Sequence, residues 1–244
     1  MLVALPELHD PSSFSALYHV PRAATDTGPL PLLLYLHGAG ESGRNLRDLI
    51  SEGATGTPPV ELEHGRALPI LQKRFIVVAP QTDHGWDPGE INRFLDFLLT
   101  RSRLPAIDRS RCYITGHSMG GYGALAAATL KDADSSPRFA AVVPVAPSGS
   151  PAASSLRGVP LWAFHGSNDV VVPASISEGL VASMKQLGVN DSAAKLTLYT
   201  SAPAPKGWPD YDGHGSTMPA YATSALYRWM LEQRTQNSVT RANK

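Results

Sequence analysis

At 244 residues, 43% hydrophobic and 17% charged, the chain has the composition of a folded globular protein rather than a disordered one. Its 21 basic and 21 acidic side chains cancel to a formal net charge of zero without a cationic cluster, which argues against a nucleic-acid or polyanion partner. Cys112 is the only cysteine, so an internal disulfide is excluded, and in its apolar run a buried, inert thiol is expected. The N-terminus lacks a basic segment followed by a long apolar one, and no window approaches about 18 consecutive apolar residues. A cytoplasmic protein without a membrane span is therefore expected. The length suits one domain over 1–234, with a polar, flexible tail over 235–244.

In chain order, a segment around 14–20 is read as an antiparallel strand. Short, nearly continuous apolar runs follow at 32–36, 75–79, 112–115, 140–143 and 161–164. Such runs fit strands buried on both faces of a parallel sheet. The run at 196–200 alternates more and is placed nearer an edge. Between the runs lie helix signals. Asp87, Pro88 and Glu90 read as an N-cap, a first-turn proline and a capping-box glutamate, followed by Ile91, Phe94, Leu95, Leu98 and Leu99 at helical spacing. Ser175 with Glu178 repeats the pattern before Ile176, Leu180, Met184 and Leu187, and Gly188 can stop that helix. Residues 121–130 form an Ala-rich, uncharged helix suited to packing on the sheet, and one last helix is expected over about 218–233. The alternation predicts a doubly wound, mostly parallel α/β sheet flanked by helices, with its site at the carboxyl ends of the strands.

The sequence Gly-His-Ser-Met-Gly at 116–120 directly follows one of these strands and opens the Ala-rich helix. Strand, tight Gly-x-Ser-x-Gly turn and helix are the sequence form of a nucleophile elbow, in which small residues two positions either side of the serine let strand and helix approach. Ser118 is thus the candidate nucleophile. A serine hydroxyl needs a base, and the base needs an orienting group, in the chain order Ser, acid, His for such a sheet. Asp169, just past the 161–164 strand, supplies the acid. Only His165 and His214 lie beyond the elbow. His165 sits at the tip of the strand that presents Asp169, so His214 is the better base. The separations of 51 and 45 residues each leave room for one strand–helix–strand passage. A developing oxyanion needs preorganised backbone donors. Met119, next after the nucleophile, offers one N–H, and Ala39 in the bare turn 37–41 (His-Gly-Ala-Gly-Glu) offers the other. His117 and His165 are read as packing residues beside the site. Trp86, Trp208 and Tyr211 are candidate pocket residues in loops on the same rim.

These residues carry a family resemblance. The chain resembles the α/β-hydrolase superfamily, near carboxylesterase/phospholipase-type serine esterases and the related predicted-peptidase group, over roughly 31–233. The resemblance rests on LHGAGE at 36–41, VAPQ at 78–81, IDRSR at 107–111, GHSMGG at 116–121, FHGSND at 164–169 with Val172-Pro173, and Gly213-His214. It implies nucleophile, acid and base roles for Ser118, Asp169 and His214, and oxyanion donors at Ala39 and Met119. Two features depart from the usual pattern. The stretch 201–213 is longer and richer in proline and aromatic residues, and 146–155 is too short for the helical cap that many lipases insert there.

The expectation is a serine esterase that needs no cofactor or metal and acts on a small-molecule ester or thioester through an acyl-enzyme. A base works only while unprotonated, so activity should fall at acid pH. The alternatives are a peptidase or amidase using the same residues, and a non-catalytic receptor or interaction protein with this fold.

Overall fold

Residues 5–10, 14–22 and 28–235 are described by the structure, a computed structural model. The eight strands among them are β1 (Glu7–His9), β2 (Ser15–His19), β3 (Leu30–Leu36), β4 (Ile76–Gln81), β5 (Ile107–His117), β6 (Ala141–Val145), β7 (Leu161–Gly166) and β8 (Ala194–Tyr199). They form one sheet in the order β1-β2-β4-β3-β5-β6-β7-β8. The β1–β2 and β2–β4 pairings are antiparallel and every other pairing is parallel. The expected antiparallel segment near 14–20 is β2. The short β1 beside it carries no alternation that the sequence reading could detect. The edge position expected for 196–200 belongs to β8.

Both faces of the sheet are covered, which is why its central strands read as unbroken apolar runs. The period of two in a strand sends alternate residues to opposite layers. Leu32, Leu34, Ile76, Val78, Ile114 and Val142 meet α3 (Pro88–Thr100), α4 (Met119–Thr129) and α5 (Ser175–Gln186). Leu33, Tyr35, Val77, Tyr113, Val143 and Phe164 face the opposite layer. That layer is built from α1 (Pro58–Glu63), α2 (Pro69–Arg74), α6 (Thr217–Tyr221) and α7 (Ser224–Glu232). Neither α1 nor α2 is long enough to display a helical period, so neither was legible in the sequence. Cys112 lies in the first layer at 1% exposure, and burial pushes its thiol up to about 12, too high for a reactive thiolate at neutral pH.

The helix starts and stops show where local signals hold and where tertiary contacts override them. Asp87 caps α3, accepting the Glu90 N–H at 2.8 Å. Ser175 does not cap α5. Ala174 already has helical dihedrals and its carbonyl accepts the Glu178 N–H, so the helix begins one residue early with Ser175 inside it. The last helix is two helices. Thr223 is extended between α6 and α7, its hydroxyl donates to the Pro219 carbonyl at 2.8 Å, and Tyr227 Oη donates to the Tyr221 carbonyl at 3.0 Å. Buried side chains satisfy carbonyls that a continuous helix would have satisfied along its own axis. The polar tail expectation meets one described residue, Thr235, whose N–H donates to Ser110 O at 3.0 Å. Residues 236–244 lie outside the described residues. Among the described residues no helix is long and apolar enough to cross a membrane.

The Asp87 cap generates a simple test. Asp87→Ala should lower stability by about 1 kcal/mol, seen as a lower urea midpoint at unchanged slope.

Candidate active site

β5 and α4 meet at Ser118, whose backbone lies at φ 54° and ψ −116°, outside the regions a side-chain-bearing residue prefers. The conformation is held by the Ser118 N–H donating to Val145 O at 2.9 Å and by the Ser118 carbonyl accepting from Tyr122 and Ser148. It is also held by what is missing. A Cβ on Gly116 would overlap the Gly120 carbonyl, and one on Gly120 would overlap the Leu36 carbonyl. The glycines flanking the serine are therefore a steric necessity.

The side chains read from sequence come together here. His214 Nε2 lies 3.0 Å from Ser118 Oγ, and His214 Nδ1 lies 2.8 Å from Asp169 Oδ2. The Asp169 carboxylate can only accept, so Nδ1 carries the proton and Nε2 faces the serine as an acceptor. The Asp169 side chain is fully buried. Its Oδ1 accepts the Val171 and Val172 N–H groups, both at 2.9 Å. His165 joins the same carboxylate, with Nε2 3.3 Å from Asp169 Oδ2 and 3.1 Å from Val172 O. Two acceptors around Nε2 fix its proton there, leaving Nδ1 to accept from Ser177 Oγ at 2.8 Å. Burial alone would raise the Asp169 carboxyl. Hydrogen bonds from His165, His214 and Val172 outweigh it and hold the group well below the usual carboxylate range.

The loops carrying Asp169 and His214 are tied to each other. Asn168 Nδ2 donates to Ala202 O and Asp212 Oδ2, both at 3.0 Å, while Asn168 Oδ1 accepts the Ala202 N–H at 2.8 Å. Gly213, at φ +80°, packs so closely on Asn168 and Asp169 that any side chain would overlap their backbone. Sequence reasoning missed Asn168 and the roles of His165 and Ser177, because the Asn168 contacts span up to 44 residues and the His165–Ser177 bond spans 12, so they form no local pattern.

The Met119 N–H opens α4, and the Ala39 N–H lies in the turn after β3. Neither donates to a backbone acceptor among the described residues. The Ala39 turn is braced from below by His37, whose Nε2 accepts the Thr82 N–H at 3.1 Å and whose Nδ1 donates to Gly38 O at 2.7 Å. Burial, opposed by that Gly38 contact, lowers His37 to about 4. His117 donates from Nε2 to the His214 carbonyl at 2.8 Å, and burial with the nearby His214 lowers it to about 3. Both rings are neutral braces, but His117 also stands on the wall of the cavity over Ser118 and does not only pack beside it.

Trp86 does not reach the pocket. It is 8% exposed, seats against Gly123 of α4, and donates from Nε1 to His37 O at 3.0 Å. Its large apolar ring is buried with Phe14 in the core, 5.5 Å between centroids, and supports the Ala39 turn from behind. Trp208 and Tyr211, 46% and 38% exposed, do line a cavity of about 330 Å³ over Ser118, with Ala39, Glu41, Val171 and Pro205 around them. No residue of the 147–157 segment lines it among the described residues.

A family model described as PET hydrolase-like matches residues 89–232. A search of curated proteins finds no match. Among solved structures, a thermostable esterase aligns at 25% identity and TM-score 0.70, over 94% of this chain and 62% of its own. This chain thus spans less than two thirds of that protein. A putative dienelactone hydrolase from Klebsiella pneumoniae subsp. pneumoniae MGH 78578 aligns at 15% identity and TM-score 0.62, over 93% of this chain and 98% of its own. Esterase 2 of Thermogutta terrifontis, solved phosphoramylated by tabun, aligns at 13% identity and TM-score 0.63, over 95% and 96%. The last two likenesses establish the fold, a mostly parallel α/β-hydrolase sheet without a large cap. Because the family match runs from the first turn of α3 to the end of α7, more than half of the sequence, the chain belongs to the PET hydrolase-like family within the α/β-hydrolase superfamily of serine hydrolases.

Proposed function

We propose that the chain is a serine esterase that cleaves carboxylic esters or thioesters of small to medium acyl groups. The observation that carries this reading is the unbroken chain Ser118 Oγ to His214 Nε2 at 3.0 Å and His214 Nδ1 to Asp169 Oδ2 at 2.8 Å. Ser118 Oγ attacks the carbonyl carbon as His214 Nε2 takes its proton. The electron pair of the C=O bond moves to oxygen, which the Ala39 and Met119 N–H groups receive. Collapse of the tetrahedral intermediate expels the alcohol or thiol, which takes the proton back from His214. Water then repeats the sequence on the acyl-enzyme, releasing the acid and restoring Ser118. Asp169 holds the imidazole in one tautomer and stabilises the imidazolium, while its own proton affinity stays too low to take the proton. The family's description as hydrolase-like and the name of the thermostable esterase support hydrolysis of an ester bond.

The direct test is labelling by a fluorophosphonate together with turnover of short p-nitrophenyl esters. Native protein should label and turn over, and Ser118→Ala should abolish labelling and cost on the order of 10³–10⁶ in kcat with the fold intact. A native protein that fails to label would overturn the reading. His165→Phe removes a donor to Asp169 and should lower kcat about 10²-fold with little change in KM, whereas His165→Gln, which restores an N–H near Nε2, should recover much of it. Equal losses in the two variants would mean that His165 only fills space.

Acid pH acts on the fold as well as on the base. His37 and His117 stay neutral in the folded protein down to about 4 and about 3, whereas an unfolded histidine protonates near 6.5. Between those values the unfolded chain binds the extra protons, so stability falls as pH drops, each ring contributing up to about 1.4 kcal/mol per pH unit. Below about 4 the depressed Asp169 carboxyl adds a loss of the same sign. The melting temperature should therefore decline from near pH 6.5 downward, and His117→Gln should flatten part of that decline. A melting temperature constant from pH 7 to 4 would contradict the assignment of both rings as neutral braces.

A further inference from the structure

Glu41 is a carboxyl that the mechanism above does not use. It ends the turn that carries Ala39, is 8% exposed, and forms part of the wall of the cavity over Ser118. Its Oε2 lies 3.3 Å from the point where a Cβ on Gly38 would stand. The backbone amides of Gly38 and of Glu41 itself face the carboxyl, and no side chain among the described residues donates a hydrogen bond to it. Burial raises it above the usual glutamate value, and the two amides and the nearby His214 oppose that rise. A carboxylate so placed, two residues from Ala39, opposes the oxyanion that the proposed reaction builds there.

The remainder of the cavity points to what would relieve that charge. No Lys or Arg lines it among the described residues, and Lys206, on the same loop between the lining residues Pro205 and Trp208, is paired with Glu52 at 3.0 Å. Trp208 and Tyr211 line the same cavity with ring centroids 5.1 Å apart, and Tyr211 stands 6.3 Å edge-on from His214. Aromatic faces attract cations and offer nothing to anions. The Asp169 carboxylate behind His214 adds a further negative potential to the cleft.

We propose that Glu41, with the Trp208 and Tyr211 rings, forms a subsite for a quaternary ammonium or ammonium group, so that the esters this cleft takes best are cationic. The proposal rests on the esterase reading and names its substrate class. A bound cation pairs with Glu41, removes the opposition to the oxyanion and stacks on the rings, whereas an anionic ester meets a carboxylate with no cationic partner.

The test compares S-butyrylthiocholine with its neutral isostere, the 3,3-dimethylbutyl thioester of butyrate, by thiol release. Native protein should favour the cationic ester by about tenfold in kcat/KM. Glu41→Gln should bring the ratio to within about twofold. Trp208→Ala, at an exposed loop residue, should lower the ratio in part and keeps the test open if the buried substitution fails to fold. As a readout without turnover, tetramethylammonium should slow fluorophosphonate labelling of native protein and lose that effect in Glu41→Gln. A native ratio near one, a ratio unchanged by both variants, or an absence of tetramethylammonium protection overturns the proposal. If native protein neither labels nor hydrolyses either thioester, the esterase reading falls instead.

Discussion

The backbone at Ser118 sets the terms for everything on this rim. A residue with a side chain sits at φ 54° because β5 has to end and α4 begin within a single turn. The Leu36 and Gly120 carbonyls close the space where neighbouring side chains would go. Such a conformation costs on the order of 1–3 kcal/mol and persists only where the surroundings over-determine it. Here they do, since β3 and β6 pair with β5 on either side and α4 buries seven of its residues. The same approach leaves the Met119 N–H free at the head of α4 and brings the end of β3, with the Ala39 turn, beside the serine. The positions of the proposed nucleophile and of the proposed oxyanion donors are thus consequences of one steric constraint.

A second layer of order comes from Asp169, the proposed acid. The Asp169 carboxylate is surrounded by His214, His165 and two backbone amides, so each oxygen is held by more than one donor. A carboxylate so fully satisfied has little freedom to rotate, and the imidazole bonded to it inherits that rigidity. His165 matters because its proton is fixed by chemistry rather than by assumption. Val172 O and Asp169 Oδ2 both require a donor, and the Ser177 hydroxyl supplies the complementary bond at Nδ1. His37 follows the same logic under the turn that carries Ala39, and His117 does so beside His214. Each is neutral, each makes one bond as donor, and neither could be charged without losing burial energy.

Local signals carried much of this in the sequence. The strands around 32–36, 112–115 and 161–164 declared themselves because a sheet covered on both faces demands unbroken apolar runs. Ser118, Asp169 and His214 were named from strand-end position and chain order, which reflect how a parallel sheet gathers loops on one edge. Asp87 was legible because capping is a contact over three residues. What escaped was set by distance along the chain. Trp86 reads as a loop aromatic, and only the notch at Gly123 turns it into the core. Ser175 has the chemistry of a cap, but Ala174 joins the helix ahead of it. The break between α6 and α7 depends on Thr223 and Tyr227 serving carbonyls that no local window links to them. Glu41 closes the LHGAGE motif at 36–41, but nothing in that local pattern shows that its carboxyl turns toward the cavity.

The loop 201–213 shows why site and specificity are hard to separate in this chain. It brings Trp208 and Tyr211 to the cavity wall and ends at the residue before His214. Its position is fixed by Asn168, which adjoins Asp169, through bonds to Ala202 and Asp212. Under the proposed reading, a substrate that presses on the aromatic rings also presses on the segment that leads to His214. Displacing the loop would lengthen the contact between His214 and Ser118 as well as open the cavity. Under that reading, binding energy gained at the rings is expressed at Ser118, where it raises turnover rather than affinity alone. In an α/β-hydrolase sheet without a large cap, that coupling falls to the loop that carries the histidine.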